Sequence, residues 1–289
     1  MNALLAAWNR FFHAPCSGVR MAAVRILLGL FLLVYFGDMA SHVPLLFSAD
    51  GVYVPYLVPD YAPSPAVAWL LFGAMLGATL ALTFGYRTSI STPLLLLLFL
   101  HHYFLQLAVK QSSFDRIIAI ALLVLCLADA GRVLGLDAAR AGPQPTRWGE
   151  RVLQIQLVLL YVGAGVWKLF NPAWHGGTLL RSNLQGMFAT PLAFELVQLD
   201  LSERTWALFS LAVIGLELAT GVLMMIPRLR SCALLLGVGF HAANCVVLVI
   251  PEFLVVLAAY PVFVSEQRLQ SIAGAAIRFM RRAPPASSS

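Results

Sequence analysis

From Tyr61 to Tyr86 the chain carries no Asp, Glu, Lys, Arg or His. About 20 apolar residues are what an α-helix needs to cross the hydrocarbon core of a bilayer. Within lipid, only a helix or a closed barrel satisfies its own backbone hydrogen bonds. The run is too long for a barrel strand of about 9–11 residues, so it reads as a transmembrane helix. The same reading gives apolar spans at 20–40, 66–84, 90–109, 116–130, 151–170, 206–226, 231–249 and 252–266. The fourth and eighth are short, and the joint at Ile250-Pro251-Glu252 can equally be a re-entrant turn. Seven to nine spans fit, and eight is the expectation. The expected fold class is therefore an all-α integral membrane protein, a polytopic bundle of about eight transmembrane helices with no soluble domain.

Composition agrees. Hydrophobic residues make up 60% of the 289 and charged residues 11%, with a mean hydropathy of +0.84, against about 45–50% and 25% in soluble domains. A water-soluble globule is excluded. A net charge of +6 and a pI near 9.4 would suggest a nucleic-acid partner in a soluble protein. Here the basic residues are scattered between apolar runs and read as topology signals, so no nucleic acid is expected. With the N-terminus inside, the cytoplasmic side collects Arg10, Arg20, Arg25, Arg87, Arg132, Arg140, Arg147, Arg151, Arg228, Arg230, Arg268, Arg278, Arg281 and Arg282. The opposite side collects only Lys110, Arg116, Arg181 and Arg204, and Lys168 is left within the membrane. Both termini are expected in the cytoplasm.

Three regions follow. Residues 1–19, with Trp8, Phe11, Phe12, Arg10 and His13, lack the pattern of a cleaved signal and read as an interfacial amphipathic segment. Residues 20–266 form the transmembrane domain. Residues 267–289 form a basic cytoplasmic tail ending in Arg281-Arg282-Ala283-Pro284-Pro285 and three serines. The outer side is expected to carry the Pro- and Tyr-rich loop 41–65 and the longer segment 171–205. The cysteines Cys16, Cys126, Cys232 and Cys245 form no CxxC pair, so neither a disulfide framework nor a metal site is expected.

Ionisable groups inside spans cost roughly 2.5–3.5 kcal/mol on insertion scales, so each is a functional candidate. Lys168 lies near the outer end of span five, after Tyr161 and the small run Gly163-Ala164-Gly165. Glu217 lies in the middle of span six, and His241 and Asn244 share one face of span seven at i, i+3. The expectation is one pocket between these three spans. Snorkelling of Lys168 to the interface, and ordinary polar contacts for Glu217 and His241, are the structural alternatives. A secondary group comprises His101 and His102, which point in different directions on a helix, and Asp115 and Arg116, read as capping span four. A lysine removed from water becomes available as a neutral base, whereas an acid beside it restores the ammonium. Contact between Glu217 and Lys168 therefore separates a base from an ion pair.

At these residues the chain resembles a known family. Ala164-Gly165-Val166-Trp167-Lys168-Leu169, followed by Trp174 and Gly176, is similar to the signature of the vitamin K-dependent γ-glutamyl carboxylase and its bacterial relatives, the horizontally transferred transmembrane (HTTM) domain proteins. A second block agrees in order: Leu216-Glu217-Leu218-Ala219-Thr220-Gly221, Arg228 and Arg230, Phe240-His241 with Asn244, then Tyr260-Pro261. Arg25, Gly29, Asp115 and the aspartate of Gly135-Leu136-Asp137 suit the bacterial pattern. The resemblance covers roughly residues 10–265. It implies that Lys168 is the amine base that deprotonates a reduced quinone, vitamin K hydroquinone or a menaquinol-like molecule. Oxygen then generates a strong alkoxide base, glutamate loses its γ-proton, carbon dioxide adds, and the quinone leaves as an epoxide. His241, Asn244, Glu217, Trp174 and Tyr161 would form the quinone pocket, opening to the outer face of a bacterial inner membrane. Trp167 stands where the carboxylase has the first of two lysines, and Lys168 to Trp174 is one residue longer. After Arg268 only 21 residues remain, and no propeptide-binding domain is expected.

The leading expectation is an enzyme of carboxylase and epoxidase type, a carbon–carbon lyase, with O2 and CO2 as co-substrates and no metal. Its partners would be the lipid bilayer, the quinone and a small secreted peptide or protein substrate. The alternatives are a non-catalytic maturation or export partner of a secreted peptide or toxin, and a transporter. No broken symmetric helices support the last.

Overall fold

In a computed structural model the chain is helical, and residues 2–51, 61–106, 113–128, 130–139 and 144–282 are described. The order is α1 (Asn2–Phe12), then α2 (Val19–Met39), which passes through a 3-10 turn into α3 (Val43–Phe47), α4 (Pro65–Phe84), α5 (Thr88–Gln106) and α6 (Ser113–Leu127). After two 3-10 turns, Ala130–Arg132 and Leu136–Ala139, come α7 (Trp148–Phe170), α8 (Pro172–His175), α9 (Thr178–Asn183), α10 (Pro191–Gln198), α11 (Glu203–Met225) and α12 (Arg230–Val247). The short α13 (Val255–Ala258) lies between 3-10 turns at Pro251–Leu254 and Tyr260–Phe263, and α14 (Glu266–Arg282) follows.

Among the described residues, six stretches are long and apolar enough to cross a membrane: Val19–Phe47, Pro65–Phe84, Thr88–Leu105, Trp148–Phe170, Glu203–Met225 and Arg230–Val247. They are the first, second, third, fifth, sixth and seventh expected spans. The two short spans behave differently. α6 has 15 residues, about 22 Å at 1.5 Å per residue, less than the roughly 30 Å hydrocarbon core. Residues 251–263 break into single turns, since Pro251 and Pro261 each remove a backbone donor. The tail expected from residue 267 is helical as far as Arg282. Pro55, Pro59, Lys110, Arg140 and residues 283–289 lie outside the described residues.

The chain divides into two compact units, one of Met1–Arg151 with Val264–Ser289 and one of Val152–Phe263. In the first, a fully buried Arg25 on α2 holds several elements together. α4 begins with Ser64 capping Val67 N–H and ends at Gly85 in the left-handed region. Arg25 Nη1 donates to the carbonyls of Leu82 and Thr83 at 2.7 Å, Nε to Ala130 O at 3.1 Å, and Nη2 to Leu134 O at 2.6 Å. Asp137 does the complementary work on α5, accepting from Arg87 N–H at 3.0 Å, Thr88 N–H at 2.8 Å and the Thr88 hydroxyl at 3.0 Å. Gly29 lets α2 approach α4, because a Cβ there would meet Thr83 Oγ1 at 2.1 Å. A further ionic group ties Arg20 to Glu150 (2.8 Å) and Glu266 (3.5 Å), with Arg147 3.7 Å from Glu266. α1 leaves Leu4, Leu5, Trp8 and Phe11 exposed. It is tethered by Arg151, whose Nε donates to Phe11 O and whose guanidinium lies 4.5 Å from the Phe11 ring.

In the second unit α7 and α11 pack through glycine. A Cβ on Gly165 would meet Leu218 Cγ at 2.7 Å, and one on Gly221 would meet Val162 Cγ2 at 2.7 Å. Gly163, of the same small run, faces open space. The segment 171–205 folds over the adjoining ends of α11 and α12. Leu184, Ala193, Val197 and Trp206 form its core, with Val247 and Leu248 against it. Thr190 and Ser202 cap α10 and α11.

Candidate functional site

Three long helices of the second unit present polar groups on single faces. On α7, Tyr161, Gly165 and Lys168 recur at i, i+4, i+7, the spacing of one helix face. On α11 the buried stripe runs Ser210, Ile214, Glu217, Gly221 and Met224. On α12 it runs Ala233, Gly237 and His241. The helix faces bring these residues into two linked groups.

In the first, Lys168 Nζ donates to both carboxylate oxygens of Glu217 at 2.7 Å. The Glu217 side chain is 6% exposed and that of Lys168 15%, which excludes a lysine extended along lipid to the interface. The ammonium also lies 5.0 Å from the centre of the buried Trp174 ring, a cation–π contact. Trp174 is held there by α8, whose first turn is capped by Asn171 and carries Pro172 at its start. Gly177, with φ +77°, then turns the chain against the Trp206 backbone, where a Cβ would lie 2.4 Å from its carbonyl carbon. Trp167 is exposed on another face of α7.

The second group lies about two turns back along α7 and one turn on along α11. Gly221, one turn after Glu217, brings its backbone against Tyr161. The Tyr161 hydroxyl bonds His241 Nε2 at 2.7 Å and the Tyr260 hydroxyl at 2.5 Å. All three residues are buried. Gly237 makes the chain possible, since a Cβ there would sit 1.9 Å from Tyr260 Oη. Asn244 is half-buried, and its side chain makes no hydrogen bond to a described residue. Buried atoms without a hydrogen-bond partner include Trp174 Nε1, His241 Nδ1, Ser210 Oγ and Thr220 Oγ1.

The secondary candidates lie in the first unit. His102 Nδ1 donates to Leu98 O at 2.7 Å, whereas His101 bonds the Tyr61 hydroxyl at 3.0 Å. The two rings do face different partners. Asp115 is buried and accepts from the Tyr35 hydroxyl at 3.1 Å, while Arg116 is exposed. Through the Tyr35 bond Asp115, in the first turn of α6, also links α6 to α2. His102 and Asp115 line a cavity of about 30 Å³ with Tyr35, Phe36, Phe47 and Phe99, room for one or two waters.

Tyr260 is the member of the site that the residue-by-residue reading did not single out. Its signal was a tyrosine within an apolar stretch, beside a proline that breaks the helix. Among the described residues no group of three His, Cys, Asp or Glu side chains could hold a metal ion. A family model of the HTTM domain matches residues 13–267. No curated protein and no solved structure matches the chain.

Proposed function

Since the chain belongs to the HTTM domain family, a membrane domain associated with the vitamin K-dependent carboxylases, we propose that it is a membrane enzyme of reduced-quinone chemistry with Lys168 as base. What supports this reading is Trp174 Nε1–H, a buried donor without a partner among the described residues, whose ring lies 5.0 Å from Lys168 Nζ. The Lys168–Glu217 contact is the ion-pair arrangement, so Lys168 acts as a base only once its proton has passed to Glu217. A buried ammonium and carboxylate have a neutral alternative, in which the proton moves from Nζ to a carboxylate oxygen. Lys168 then offers an amine lone pair, and Glu217 stores the proton.

The residues fit a quinol ring. Trp174 Nε1–H and one ring nitrogen of His241 are buried groups able to meet its oxygens, while Gly165 and Gly221 keep the α7–α11 contact close. A reduced quinone supplies the electrons that let oxygen chemistry produce a strong base. Lys168 receives the hydroxyl proton at Nζ, and Trp174 keeps water from the ammonium. Glutamate carboxylation on a secreted peptide is the acceptor chemistry proposed, at the outer face of a bacterial inner membrane.

Purified protein in lipid nanodiscs, given menadiol, is expected to consume oxygen. Lys168→Arg abolishes this while preserving the fold, because guanidinium stays protonated at accessible pH yet still pairs with Glu217. Lys168→Ala regains turnover with small amines, increasingly as pH rises through the amine's pKa. Full oxidation by the arginine variant rejects the base role.

A second reading, a non-catalytic maturation or export partner, is favoured by the closure of the pair itself. Both Glu217 oxygens are occupied by Lys168, and such a pair holds helices together without a ligand. On that reading Arg substitutes for Lys168 without loss.

A further inference from the structure

The two buried histidines differ in how their rings are satisfied. His102 uses its own helix, with Nδ1 donating to the carbonyl four residues back. His241 does not, and its Nδ1 has no partner although the residue is 2% exposed. Its Nε2 is bound instead to Tyr161, which is bound in turn to Tyr260.

Each hydroxyl carries one proton, so a head-to-tail chain runs in one of two directions. A Tyr161 that accepts from both neighbours leaves its own proton and the His241 Nδ1 lone pair as two orphans. If His241 Nε2–H donates to Tyr161 and Tyr161 donates to Tyr260, the Tyr260 O–H is left without an acceptor among the described residues. His241 Nδ1 is then an orphan lone pair as well. If Tyr260 donates to Tyr161 and Tyr161 donates to His241 Nε2, every hydroxyl proton is used. One group is left over, His241 Nδ1–H. An unpaired buried polar group costs about 1–3 kcal/mol, so the arrangement with one orphan is favoured over that with two.

We propose that Tyr161, held between Tyr260 and His241, is a positioning residue that fixes His241 as the Nδ1–H tautomer. It thereby presents a buried N–H donor to the carbonyl or phenolate oxygen of an apolar ring ligand. The identity of the ligand as a quinone rests on the preceding reading; the tautomer does not. Tyr260 fills the acceptor site on Tyr161 Oη, leaving the Tyr161 proton to His241. The absence of a side chain at Gly237 allows the two hydroxyls to meet.

The test uses full-length protein with 15N,13C-labelled histidine in lipid bilayers. The chain has six histidines, and His241 is assigned by the signals lost in His241→Gln. Without ligand, magic-angle-spinning NMR is expected to show His241 as the Nδ1–H tautomer. Tyr260→Phe keeps it, because the Tyr161 proton still serves Nε2. Tyr161→Phe loses it, shifting the population to Nε2–H. Added menadione moves the His241 Nδ1 resonance in the wild type. An Nε2–H or imidazolium signal in the wild type overturns the proposal, even if Tyr161→Phe fails to fold and whether or not the protein oxidises quinols. A Nδ1–H signal that menadione leaves in place, in protein that shows Lys168-dependent oxygen uptake, overturns the donor role. Absence of that uptake together with the Nδ1–H tautomer rejects the quinone reading and sustains the relay.

Discussion

Lys168 and Glu217 make up a single energetic unit. Removing one partner of a buried ion pair leaves an uncompensated charge and costs about 3–5 kcal/mol in soluble cores, whereas replacing both with apolar residues can be neutral. Lys168→Met and Glu217→Met are each expected to lower the thermal midpoint. The double variant recovers most of the loss, and a double-mutant cycle reads the coupling. Additive losses would show the two groups to be independent. Cys16 provides a second residue-scale expectation, away from the spans. Burial, with Glu150 and Glu266 adding like charge, pushes its thiol up from 9.0 to about 11. Only the thiolate is the nucleophile, so with the other three cysteines replaced, maleimide labelling of Cys16 is expected to be negligible at pH 8. The rate rises as pH approaches 11. Rapid labelling of the folded protein at pH 8 would count against a buried thiol.

Glycine decides how the long helices meet. Gly165→Ala puts a Cβ 2.7 Å from Leu218 Cγ, while Gly163→Ala, two residues earlier, meets nothing within 4 Å. The first is expected to lower stability and site function together. The second is neutral or gains up to about 1 kcal/mol from helix propensity. Equal effects in a thermal-shift assay would remove the close-packing argument. The same contrast shows what was legible in the sequence. Helix existence was, since apolar runs bounded by Gly, Pro and Arg locate α2, α4, α5, α7, α11 and α12 to within a few residues. So was the candidacy of Lys168, Glu217 and His241, because charge and imidazole are costly in lipid. Partnership was legible only in part, as the candidacy of Lys168 and Glu217 for contact. Which face of α7 meets α11 depends on Gly165 rather than Gly163, and Asp115 bonds Tyr35, 80 residues away. Tyr260 entered only through the resemblance, as part of Tyr260-Pro261, and was given no site role, because helical periodicity carries no information once prolines break the helix.

At the scale of the whole molecule, the asymmetry of basic residues yields a topological expectation. A reporter fused after Ser289 is active only in the cytoplasm. Single cysteines introduced in 61–65 and 176–200 react with membrane-impermeant reagents from outside. Periplasmic activity of the fusion inverts the orientation, and protection of both regions from outside rejects the span plan. The residues of the candidate site, from Tyr161 to Tyr260, all belong to the Val152–Phe263 unit. The other unit carries the Arg25 clamp, the ionic group at Arg20 and α1.

That clamp bears on how the chain enters the bilayer. Arg25 sits six residues into α2, about 9 Å along it, and its acceptors lie 57 to 109 residues downstream. If α2 leaves the translocon before those carbonyls emerge, its guanidinium has no protein acceptor in lipid and stays hydrated at headgroup level. α2 therefore first occupies a shallower position than its final one. It can settle only after Leu82, Thr83 and the 130–134 turn have emerged to take the charge. On that order of events, insertion of this unit includes a late adjustment of α2. Stalled nascent chains ending before residue 82 should hold the start of α2 nearer the cytoplasm than chains released beyond residue 140.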